Sequence, residues 1–209
     1  MWALIFVVIA GWLLSLFGQL PLGSMSITAT QIRVREGLKP ALMYAWGVAL
    51  VEMVYLRVSL SGIDLIYQHP TIFTAIGWAA VILFFSLGVM SIRSAIIHPP
   101  ERKNPVLENK INRFVLGASL SAMNPAQIPF WLLWGSYMLE WKVLRPVTFE
   151  YNLFTIGAGI GTVTGLLVYI YGGNYIINKL NVSNKSLNIT MGIIFFIGSM
   201  LQLWRMVVR

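Results

Sequence analysis

Cysteine is absent from the 209 residues, which excludes disulfides, thiol redox chemistry and thiolate metal sites. Histidine occurs twice, as His69 and His98, each beside a proline in an expected loop. Neither has a companion ligand, so no metal site and no cofactor are expected. Charge is also scarce, at 11% of residues with only seven acidic side chains. With no Ser-His set and no pair of carboxylates inside an apolar run, membrane-enzyme chemistry has no support. What the chain does have is hydrophobic side chains, 57% of the total, far above the usage of a soluble domain. Its length allows about six bilayer spans of about 20 residues each, and leaves no room for a soluble domain.

The net charge of +8 would suggest nucleic acid in a soluble protein. Here the basic residues flank apolar runs, so positive-inside bias and anionic headgroups account for them, and no nucleic-acid partner is expected. The first 20 residues lack a basic leader and a small-x-small cleavage site, and are read as a retained span rather than a signal peptide.

Two apolar runs are broken by polar residues and proline. Between Phe114 and Tyr137 the centre reads Asn124-Pro125-Ala126-Gln127-Ile128-Pro129, and near the start Gly18-Gln19-Leu20-Pro21-Leu22-Gly23-Ser24 interrupts a similar run. Proline lacks an amide hydrogen and clashes with the carbonyl four residues earlier, so each run should open or kink. Carbonyls freed this way are too costly to face lipid, and must line a cavity or bind something. Pro21 and Pro125 lie 104 positions apart, half the chain. Broken segments at corresponding places in two halves mark a repeat-built transporter; the plainer reading is a proline kink in each of two ordinary spans.

The expected fold is all-α: a single transmembrane domain over residues 1–209 with six helices as a 3+3 inverted repeat. The first repeat covers about 1–97, a basic cytoplasmic linker about 98–113, and the second repeat about 114–209. Spans are expected near 2–20, 40–60, 71–97, 114–137, 149–177 and 187–206, with Ser24 to Lys39 as a polar connection. Span two carries Ala41, Ala45 and Ala49, and span five carries Gly157, Gly161 and Gly165, each at a four-residue period. Such stripes suit close packing, here expected between the two spans, or a homodimer interface. The Gly157 to Gly161 run superficially resembles a nucleotide loop but follows no strand, and the Asn-x-Ser/Thr triplets at Asn181, Asn184 and Asn188 carry no weight. Connections after spans one, three and five hold ten Lys and Arg against five on the opposite side. That bias places both termini outside the cytoplasm.

Glu52 is the sharpest candidate residue. An ionisable group within a span is costly and faces the bundle interior, where it is a candidate to take and release a proton; alternatively it reaches the outer headgroups or pairs with Arg57. Asn124 and Gln127, with backbone freed at Pro125, can bind the carboxylate and amine of a zwitterion without a charged side chain. The alternative for Asn124 is a helix cap. Gln19 and Pro21 are the matching candidates in the first half; Gln31, Arg33 and Arg35 are weaker. Trp131, Trp134, Tyr137 and Trp141 read as an interfacial belt rather than a cation box, and Glu140 and Glu150 as solvated loop residues.

Phe114-x-x-Gly117 followed by Asn124-Pro125 and an aromatic run resembles the second-half signature of the LysE/RhtB family of amino-acid exporters. Pro21-Leu22-Gly23, Gly37, Gly47 and Glu52 resemble its first-half pattern, and Gly88 with Arg93 the end of its third span. The resemblance covers nearly the whole chain. It implies a six-span bacterial inner-membrane protein exporting amino acids or related metabolites, driven by the proton gradient. Three places depart from the pattern: Pro-Gly-Pro is Pro21-Leu22-Gly23, Asn-Pro-Lys is Asn124-Pro125-Ala126, and Gly-Asp is Val51-Glu52. The expected partners are a small-molecule substrate and the lipid bilayer. A passive channel, or a non-transporting assembly subunit of the same fold, is the competing reading.

Overall fold

The computed structural model describes residues 2–20, 24–67, 70–97, 111–179 and 184–208. Pro21, His69, His98 and most of the basic linker lie outside the described residues. All regular structure among the described residues is helical, in the order α1 Trp2–Gln19, α2 Ser24–Glu36, α3 Leu38–Tyr67, α4 Pro70–Ile96, α5 Arg113–Ala122, α6 Gln127–Glu140, α7 Thr148–Lys179 and α8 Asn184–Val208. The chain is an all-helical, multi-pass membrane protein.

The expectation of six crossings is met only in part. Among the described residues four helices are long and apolar enough to cross a bilayer, at Leu38–Ile63, Thr74–Ile96, Thr148–Gly172 and Ile189–Val208, or five counting α1 with α2 as one span bent by 81°. The expected fourth span is instead α5 and α6, of 10 and 14 residues, each too short for the roughly 20 residues a crossing needs. Ser24 to Glu36, expected as a connection, is helical: Thr28 and Thr30 return their hydroxyls to the carbonyls of Ser24 and Ser26, which keeps the polar face of α2 within its own helix. Gly37 ends α2 with φ of +99°, a conformation open to glycine at little cost, and its amide closes on the Arg33 carbonyl at 3.2 Å.

The helices form two compact units, α1, α2, α5, α6, α7 and most of α3 in one, α4, α8 and the last part of α3 from Ser61 in the other. In the first unit α3 sorts its residues by face. Trp46, Leu50, Val54 and Val58 are exposed at four-residue spacing, as a lipid-facing stripe requires, whereas Ala41, Tyr44, Ala45, Val48 and Ala49 are fully buried.

Two close crossings hold this unit. A Cβ on Gly11 would overlap the carbonyl of Phe154, and one on Gly157 would overlap that of Val8, so α1 and α7 touch backbone to backbone. The α3–α5 crossing follows the same rule: Gly47 sits on the Phe114 carbonyl and Gly117 on that of Tyr44. In both, each glycine faces the carbonyl three residues before its partner glycine. The two helices that carry the alanine and glycine stripes do meet, through Met53 on Gly159, Glu52 on Thr162 and a core shared by Ala41 and Ala45 with Leu166 and Ile170, but the glycine stripe itself turns to α1. Gly157, Gly161 and Gly165 seat on Val8, Trp12 and Gln19 of α1, because only a glycine face admits a neighbouring helix to backbone contact.

Side chains complete the unit. Arg113 and Glu36 make a two-point ion pair at 2.6 and 2.7 Å that ties the end of α2 to the start of α5. Glu150 is also corrected: it is 2% exposed and folds the α6–α7 connection, accepting from the Arg145 amide at 2.7 Å and from Arg145 Nε at 2.6 Å. Glu150→Ala would leave that amide without its acceptor. It is expected to lower stability by about 2 kcal/mol, read as a lower thermal midpoint in detergent.

In the second unit α4 and α8 pack through Gly88 against Phe196 and Gly192 against Ile92. Phe84 stacks on Phe195 at 6.3 Å, and Ser199 donates to the Val81 carbonyl at 3.1 Å.

Candidate functional site

Glu52 lies on the buried face of α3, one turn beyond Val48, and is 5% exposed. Three neutral side chains from two other helices close on its carboxylate. Ser15 Oγ donates to Oε1 at 3.2 Å, Gln19 Nε2 to Oε2 at 2.9 Å, and Thr162 Oγ1 to Oε2 at 2.8 Å. Ser15 and Thr162 are themselves 2.8 Å apart, and Thr162 also reaches the Ala158 carbonyl at 3.1 Å. The expected alternatives of headgroup contact or pairing with Arg57 do not describe this group. Arg57 turns to Asn152 Oδ1 at 3.0 Å and lies over the Tyr151 ring.

The same heavy atoms serve either protonation state of Glu52. Ionised, it accepts from Ser15, Gln19 and Thr162; neutral, it donates to Thr162 Oγ1, whose own proton then turns to the Ala158 carbonyl. Burying an ion costs several kcal/mol, and hydrogen bonds to a charged group each return about 1.5–3 kcal/mol. The heavy atoms around Glu52 therefore suit either state without rebuilding the site.

The second-half break begins where α5 ends at Ala122. Asn124 Oδ1 accepts from the Ala126 amide at 3.1 Å, so its oxygen acts as the cap of the break. Pro125 is exposed beside it, and Gln127 is buried at the start of α6. Gln127 Nε2 donates to Ser121 Oγ at 2.8 Å, and Ser121 donates to the Val48 carbonyl at 3.3 Å. Val48 and Glu52 are four positions apart on one helix, about 6 Å of rise, so α3 carries both the acid and the anchor of the break.

The sequence led us to expect that carbonyls freed at the breaks line a cavity or bind something, and two of them take protein donors. Tyr55 of α3 donates to the Ala122 carbonyl at 2.9 Å, and Tyr169 of α7 donates to the Leu20 carbonyl. Thr30 of α2 returns to the Tyr169 carbonyl at 3.0 Å. Each break is thus closed by a tyrosine from the long glycine-bearing helix of the other half.

Of the predicted residues, Gln19 and Glu52 meet directly, Gln127 and Asn124 share the break, and Ala41, Ala45, Ala49, Gly157, Gly161 and Gly165 pack helices. Trp131 is a correction to the expected belt: it is fully buried, edge-on to Phe154 with centroids 6.3 Å apart. Trp134, Tyr137 and Trp141 continue as a ladder of ring contacts. Ser15, Thr162, Ser121, Tyr55 and Tyr169 were not anticipated. Ser15 had one legible signal, lying four positions before Gln19 and so on the same face of α1.

No curated protein and no solved structure matches this sequence. The LysE type translocator family matches residues 16–202, a stretch that includes Glu52, its three partners but for Ser15, and both breaks. The chain belongs to the LysE type translocator family.

Proposed function

We propose that this protein is a secondary exporter of an amino acid or a related small polar metabolite, coupled to the proton gradient and working by alternating access around a midplane site. The observation that carries the reading is Glu52, an ionisable group buried among neutral donors from α1 and α7 in an arrangement that accommodates it with or without a proton. Family membership supports membrane transport of amino-acid-like compounds.

A 3+3 inverted repeat underlies this reading. Exchanging the halves turns the α1–α7 crossing into the α5–α3 crossing, glycine on carbonyl in each case. The same exchange turns Tyr169 on Leu20 into Tyr55 on Ala122. Three crossings per half make the second half antiparallel to the first. The charge bias supports placement in the bacterial cytoplasmic membrane with both termini outside the cytoplasm.

The test is efflux from proteoliposomes loaded with a mixed panel of amino acids and related amines, with and without an imposed pH gradient, the released species being read by mass spectrometry. Selective release that grows with the gradient is expected. No release from inserted, folded protein would overturn the reading.

A further inference from the structure

Two buried polar atoms remain without a partner on the inner face of α6. Gln127 Oε1 is an acceptor and Trp131 Nε1 a donor, and neither has a hydrogen bond. Gln127 is 6% exposed and Trp131 is fully buried. The orientation of the Gln127 amide is fixed by its neighbour: Ser121 gives its one proton to the Val48 carbonyl, so its oxygen must accept, and the amide must present nitrogen to it. That leaves the Gln127 oxygen pointing elsewhere. The indole of Trp131 is held edge-on by Phe130 at 5.0 Å and by Phe154 at 6.3 Å, which fixes the direction of its N–H.

A buried donor or acceptor left unmade costs free energy, and folded chains rarely keep one without a use. Here there are two of opposite sense, four positions apart on one helical face, about 6 Å along the axis. The face belongs to the element that starts at the break, and its anchor Ser121, on α5, bonds the Val48 carbonyl, one turn before Glu52 on α3. A solute with a donor and an acceptor a few ångströms apart would satisfy both atoms at once. The ammonium and carboxylate of an α-amino acid form such a pair.

We propose that Gln127 and Trp131 are the two neutral poles of the solute site, the Gln127 oxygen accepting from the ammonium and the Trp131 indole donating to the carboxylate. This inference rests on the exporter reading and adds to it the residue that sequence assigned to the interface.

The experiment compares wild type, Trp131→Phe and Gln127→Met in proteoliposomes, using the panel member that the wild type releases. Trp131→Phe keeps an aromatic ring but removes the N–H with part of the indole's bulk; Gln127→Met keeps the length and removes the acceptor together with the donor to Ser121. Each is expected to raise the half-saturating concentration about ten-fold, one strong hydrogen bond's worth, with the maximal rate held within about two-fold. The rise in thermal midpoint that the cargo gives the wild type should shrink in Trp131→Phe at the same cargo concentration and return at about ten-fold more. Half-saturation equal to wild type in Trp131→Phe overturns the inference while leaving the exporter intact. So does a change confined to the midpoint of the empty protein, which would mean that a buried water serves these atoms. A wild type that releases no panel member overturns both.

Discussion

Replacing Glu52 with glutamine abolishes gradient-dependent efflux, cutting its rate by about ten-fold or more, while the protein still folds and inserts. The neutral amide fits the site that the neutral acid would occupy. Its oxygen keeps the Ser15 proton, and its nitrogen donates to Thr162, whose proton turns to the Ala158 carbonyl. Gln19 then presents its oxygen instead of its nitrogen. The polar cluster is satisfied but can no longer exchange a proton with either side. Exchange of internal for external solute should persist in Glu52→Gln, because it needs no net proton movement. Glu52→Ala is the harsher case, since three polar groups lose their acceptor and the fold itself suffers. Efflux from Glu52→Gln at the wild-type rate, with and without the gradient, would assign the protein to passive transport.

Bulk added at the glycine crossings has the largest expected effect on stability. In Gly157→Ala the new carbon meets the Val8 carbonyl, and in Gly117→Ala that of Tyr44; backbone atoms cannot rotate away as a side-chain tip can. Each is expected to cost about 1–3 kcal/mol, and leucine at either place more, read as a falling thermal midpoint and yield in detergent. Gly62→Ala is the internal control. Nothing lies within 4 Å of the added carbon there, so alanine should be neutral or stabilising by up to about 1 kcal/mol through helix propensity. Because each crossing is reciprocal, a second alanine at Gly11 should cost less in Gly157→Ala than in the wild type. Gly157→Ala with Gly117→Ala should instead be additive. Full additivity for the Gly11 and Gly157 pair would mean that they do not act as one contact.

Much of this arrangement was legible before any coordinates. The apolar content required helices, and proline in the two polar interruptions located the breaks, because both effects act within a few residues of chain. Glu52 stood out because a carboxylate in an apolar run is costly wherever the helix goes. The residues that carry the family resemblance, Phe114, Gly117 and Gly47, prove to be those that bring α3 and α5 into backbone contact. Partner choice was not legible. A four-residue glycine period says that some helix approaches closely, and not that the helix is α1. Thr162 and Ser15 are ordinary helix residues until the α1–α7 crossing sets them 2.8 Å apart beside Glu52. Trp131 reads as interfacial by composition, and only the packing of Phe154 buries it. Ser24 to Glu36 was missed as a helix because its mean polarity hid a face that α7 covers through Tyr169.

The tyrosine closures also set an order of events during synthesis. When Ala122 emerges, Tyr55 has already been made 67 residues earlier, so the second break can close as soon as it reaches the bilayer. Leu20 must wait for Tyr169, 149 residues later. Until most of the chain has left the ribosome, the first break holds a carbonyl with no protein donor, and water or the insertion machinery has to supply one. The amino-terminal segment is therefore the first to be made and among the last to be finished.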